Sequence, residues 1–90
     1  MNAEQIAALQ EALSTAEGIG QRNLVWQTRW SLARVLEQGG RRAEAKALYE
    51  QAIRTIEQIA ADIGDERLHG SFVQSTAVCA VYDGLERLSR

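Results

Sequence analysis

Two helical patterns meet at a pair of glycines, and that junction restricts the fold more than any other feature of the chain. Before Gly39-Gly40, Leu32, Ala33 and Leu36 recur at helical spacing; after it, Ala45, Leu48, Tyr49 and Ala52 do the same. Glycine takes the positive φ that a tight reversal needs, so Leu32 to Ala52 is expected to fold as a helical hairpin. Ala33, Ala45 and Ala52 allow two helix axes to approach closely, while Leu36 and Tyr49 fill the space beside them.

The same apolar spacing predicts helices on either side, giving five over about 3–18, 23–38, 42–63, 65–73 and 76–88 in a single domain, 1–90. Asn2 and Asn23 are expected to cap the first two, with Gln5 completing a capping box behind Asn2. Gly64 is placed as the residue that terminates the third helix, and Asp65 and Ser75 as caps of the last two. A single helix from Ser71, with Ser71 and Gln74 as its capping box, is the competing reading of the C-terminal segment. Arg29 lies on the apolar side of the second helix, where its stem is expected to pack while the guanidinium reaches solvent. Proline is absent and aromatic residues are few. The fold class is therefore all-α, with a core of alanine and aliphatic side chains.

A shift of 44 residues places Ala3 on Ala47, Ala8 on Ala52, Leu9 on Ile53, Ala16 on Ala60, Ile19-Gly20 on Ile63-Gly64 and Leu24 on Leu68. A period of this length belongs to helical-repeat architecture. The hairpin itself, with Leu32, Ala33, Leu36, Gly40, Ala45, Tyr49 and Ala52, resembles a tetratricopeptide repeat (TPR). The match covers residues 26–52 and departs at Arg29, where a large apolar residue is usual, and at Glu57, where a proline usually closes the unit. The long third helix and the links around Gly18 and Gly64 are similar to a longer-period variant. That variant occurs in C-terminal repeat regions of large bacterial signalling and regulatory proteins. The resemblance implies antiparallel hairpins stacked as a short TPR-like α-solenoid that binds a protein or peptide. Carried onto this chain, it places Gln27, Trp30, Ser31, Arg34 and Glu37 along a ligand groove.

Other classes find little support in the residues. Ten basic against twelve acidic side chains give a net charge of −2, the wrong sign for a nucleic-acid partner. No apolar run approaches the ~20 residues needed to span a bilayer, and no signal peptide is read, so a cytoplasmic setting is expected. Cys79 is the lone cysteine and His69 the lone histidine, so neither a disulfide nor a zinc set is expected. Cys79, between Val78 and Ala80, reads as a buried small hydrophobe, and His69, beside Gly70, as an exposed or capping histidine. Glu44, Glu50 and Glu57 fit the solvent side of the third helix better than a catalytic pair. The expectation is a binding module with no cofactor or metal and no enzymatic activity. The alternative is a structural cap of a longer array, or a segment that self-associates through Ile6, Leu9 and Leu13 of the first helix.

Overall fold

Among residues 3–89, which the computed structural model describes, the chain forms five α-helices and no strand. They are α1 (Ala3–Ile19), α2 (Arg22–Gln38), α3 (Arg42–Asp62), α4 (Glu66–Val73) and α5 (Thr76–Leu88). None is long and apolar enough to cross a membrane. The all-α class and five separate helices therefore hold, and the single helix from Ser71 does not form.

The reversals follow from backbone chemistry at two glycines. Gly40 has φ +82° while Gly39 stays at −83°, so only the second glycine supplies the left-handed conformation. Gly40 N–H donates to the Glu37 carbonyl and Arg41 N–H to the Leu36 carbonyl, at 3.1 and 2.9 Å, which is a Schellman closure of α2. Gly20, at φ +70°, closes α1 in the same way through Ala16 and Glu17. Gly64 does not do this for α3. That helix ends on Ile63 in an extended conformation, which leads the chain directly to the next cap at Asp65. Asp65 Oδ1 accepts from the Arg67 and Leu68 N–H groups at 2.9 and 3.1 Å, and Ser75 Oγ from Val78 N–H at 3.3 Å, as expected of both. Asn23 is no cap. It lies inside the first turn of α2, where its Oδ1 accepts from Trp26 Nε1 at 3.2 Å, and Gln21 precedes the helix without a side-chain bond. The expected cap at Asn2 lies outside the described residues.

α3 is the element on which α2, α4 and α5 pack, and α1 packs on α2. Along α2 and α3, Glu37 meets Tyr49, Arg29 meets Thr55 and Arg22 meets Asp62, so the two helices run antiparallel over nearly their whole length. Ala33, Ala45 and Ala52 have no exposed surface, and Leu32, Leu36, Tyr49 and Ile56 fill the space between the axes. Val78, Val81 and Leu88 of α5 join this core. The Cα positions extend 41 × 34 × 16 Å, about two helix layers thick.

Arg29 departs from its expected course. Nη1 donates to Thr55 Oγ1 at 3.1 Å and Nη2 lies 3.8 Å from Glu17 Oε1, so the guanidinium bridges α3 and α1 instead of reaching solvent. The repeat shift is only partly matched by burial. Ala16 and Ala60 are both buried, but Ala8 is exposed where Ala52 is enclosed, because α1 packs chiefly on α2 whereas α3 is covered on several sides.

Candidate binding groove

The side of α2 that faces α4 and α5 begins with an aromatic cluster. Trp26, at the edge of the core, has its ring centroid 6.3 Å from that of Trp30 and meets Phe72 of α4 edge-on at 6.4 Å. Trp30 is half-buried, and one turn later the Arg34 guanidinium lies 5.3 Å from the Trp30 ring centroid, within cation–π range.

Two clefts open on either side of Trp30. The first, of about 580 Å³, lies between Trp30 and Arg34 of α2 and Thr76, Ala77, Ala80 and Arg87 of α5, with Tyr49 of α3 between them. The second, of about 530 Å³, is bounded by Asn23, Gln27 and Ser31 of α2 and by Phe72, Ser75 and Ala77. Both share Trp30 and Ala77, where they meet. A smaller hollow of about 330 Å³ between α1 and α2 is lined by Gln5 and Leu9 together with Ser31 and Arg34.

One end of this region is tied shut by an ion cluster. Glu37 Oε1 accepts from Tyr49 Oη at 2.9 Å and from Arg87 Nη2 at 2.8 Å, and Oε2 accepts from Arg87 Nε at 2.7 Å. Three helices are thereby joined at one carboxylate. The bonds from Arg87 are the main reason the Glu37 carboxyl is held below the usual carboxylate range. Burial, and then the bond to Glu37, push the Tyr49 phenol up to about 12. Arg87 is held the more firmly protonated by Glu37.

Of the residues expected along the groove, Gln27, Trp30, Ser31 and Arg34 do line these clefts. Glu37 is committed to Arg87 and Tyr49, so it serves the fold at the position where a ligand contact was expected. Of the residues expected to self-associate, Ile6 is turned into the chain's own core, and Leu9 and Leu13 are half-buried. Among the described residues, the large apolar side chains left in solvent are Ile19, Leu24, Leu68 and Tyr82. Cys79 is exposed, contrary to expectation, because the covered face of α5 is Val78, Val81, Gly84 and Leu88. His69 is exposed on α4, as read.

Sequence reasoning missed the opposite wall. Ala77, Ala80 and Gly84 recur at helical spacing, a stripe of small residues that brings α5 close to Tyr49, and Arg87 continues it one turn on. A Cβ on Gly84 would sit 2.5 Å from the Tyr49 ring. Compared with known proteins, the chain matches no family model, no curated protein and no solved structure.

Proposed function

We propose that this chain is a protein- or peptide-binding module of TPR-like type, a piece of a larger signalling or regulatory protein in which α2–α3 forms one hairpin of a short solenoid. The observation that carries this reading is the pair of clefts meeting at Trp30. A partly exposed indole, with a guanidinium over its ring and faced by short side chains, supplies the residue types that dominate binding energy at protein interfaces. Selection of a random peptide display library against the whole chain tests it. Peptides enriched on the wild type should be lost on Trp30→Ala, with helix content unchanged by circular dichroism. Enrichment that survives Trp30→Ala places binding elsewhere and removes the reading.

A second reading, a cap or self-associating segment of a longer array, is favoured by Ile19 and Leu24. These flank the α1–α2 turn and are 63% and 46% exposed. It is distinguished by sedimentation: mass that grows with concentration between micromolar and submillimolar supports it, and a constant monomer removes it.

A further inference from the structure

We infer that the groove receives an internal acidic segment of a partner protein, held extended, with an apolar side chain against Trp30 and an Asp or Glu side chain on Arg34. The inference rests on the peptide-binding reading above and adds the chemistry of the partner.

Charge is the first support. No Asp or Glu lines either cleft, although the chain as a whole carries a net charge of −2. The charged groups present are Arg34 of α2 and Arg87 of α5, both lining the first cleft. Glu37 already occupies Nε and Nη2 of Arg87, whereas Arg34 has no carboxylate partner among the described residues. The Arg34 guanidinium carbon lies over the Trp30 ring, a contact made through its charge and not through a hydrogen bond. The guanidinium N–H donors lie in the plane of the group and remain free to grip a carboxylate.

Dimensions are the second. Asn23 and Arg34 are eleven positions apart on α2, a rise of about 16 Å, which an extended chain covers in about five residues. From Trp30 to Arg34 the helix rises ~6 Å, close to the ~6.6 Å between residues i and i+2 of an extended chain, whose side chains share one face. An apolar residue and an acid two positions apart therefore match the indole and the guanidinium together. The path also continues past the cation, because Ser31 and Arg34 line the hollow toward α1. An acidic side chain within a chain fits this arrangement better than a chain end.

The test uses three peptide pools with randomised flanks, titrated against the whole chain and followed by the Trp30 indole N–H signal in NMR. One pool carries Leu-x-Glu with both ends capped, the second Leu-x-Gln with both ends capped, and the third Leu-x followed by a free C-terminal carboxylate. The capped Glu pool should bind about tenfold more tightly than the Gln pool, the weight of one charge-assisted hydrogen bond. Arg34→Gln should remove that difference, while Arg54→Gln, at an exposed α3 position outside the clefts, should keep it. Equal binding of the Glu and Gln pools overturns the acidic partner and leaves the peptide-binding reading standing. Binding confined to the free-carboxylate pool overturns the internal segment in favour of a chain end. Failure of all three pools on the wild type removes both readings.

Discussion

Gly84→Ala should destabilise this protein, although helix propensity alone predicts the reverse. An alanine in a helix interior is favoured over glycine by about 1 kcal/mol. At Gly84, however, the added Cβ would lie 2.5 Å from both Cε1 and Cζ of Tyr49 and 3.0 Å from its hydroxyl. Carbon pairs rest at about 3.5–4.0 Å, so the overlap is roughly 1 Å or more. The ring cannot swing aside, since it is 1% exposed and its hydroxyl is bonded to Glu37. Relief must come from lifting α5, which would stretch the Arg87–Glu37 pair as well. Overpacking of this kind costs about 1–3 kcal/mol, at the upper end for a rigid neighbour. Set against the propensity gain, the net loss is about 1–2 kcal/mol, a fall in Tm of roughly 5–15 °C for a domain this small. Urea denaturation followed by circular dichroism measures it. Gly70→Ala is the matched control: it lies within α4, its Cβ meets nothing within 4 Å, and it should stabilise by about 0.5–1 kcal/mol. Tyr49→Leu combined with Gly84→Ala should recover part of the Gly84→Ala loss, because the obstacle is gone. If Gly84→Ala raised stability as Gly70→Ala does, the close approach of α5 to Tyr49 would be refuted.

Ala45→Leu or Ala52→Leu should cost about 1–3 kcal/mol in chemical denaturation, since neither alanine has exposed surface, whereas Glu50→Gln should change stability by less than ~0.5 kcal/mol. Glu37→Gln should lose about 1 kcal/mol near neutral pH, discounted because Arg87 is more than half exposed. The carboxyl of Glu37 is lowered in the fold, so its contribution is present above the ordinary glutamate pKa of about 4.3. It is lost as pH falls through the lowered value, and the gap between wild type and Glu37→Gln should close there. Tyr49 works with the opposite sign. Its phenol is raised to about 12, so its contribution is full below the ordinary value and is lost as pH rises toward 12. Tyr49→Phe should lack that alkaline decline in pH-dependent denaturation.

What the sequence made legible was local. Apolar spacing located all five helices, and Asp65 and Ser75 capped theirs because a cap needs only the next three residues. Asn23 has the same chemistry, yet the indole of Trp26 one turn on claims its oxygen, and α2 begins a residue earlier. Gly64 has glycine's freedom, but the Asp65 cap follows at once and draws the chain into an extended course. Cys79 was misread from its apolar neighbours; the period of Val78, Val81 and Leu88 already turned it away from the core. Arg87 and Glu37, fifty residues apart, meet only because α3 carries both α2 and α5, and no local pattern announces such a pair. The site was legible on its α2 wall and hidden on its α5 wall for the same reason. Gln27, Trp30, Ser31 and Arg34 lie within one hairpin, whereas Ala77 and Ala80 reach them only through the packing of the whole chain.

The groove itself follows from how α4 and α5 are fastened. At one end Phe72 meets Trp26 edge-on, and at the other Arg87 grips Glu37; on α2 these anchor points are eleven residues, about 16 Å, apart. Between them α5 settles on α3, which the absence of a side chain at Gly84 permits, and it makes no extended packing contact with α2. The residues it presents to α2 across that span, Thr76, Ala77 and Ala80, are too short to fill the space beside Trp30. Longer side chains there would close the clefts and bury the indole completely. The small stripe on α5 thus has two consequences at once: it lets the helix approach Tyr49, and it leaves Trp30 and Arg34 facing an open channel. A core requirement and a candidate binding surface are set by the same residues, so substitutions at Ala77 or Ala80 to leucine should fill the groove while leaving the contacts of Val78 and Val81 with α3 in place.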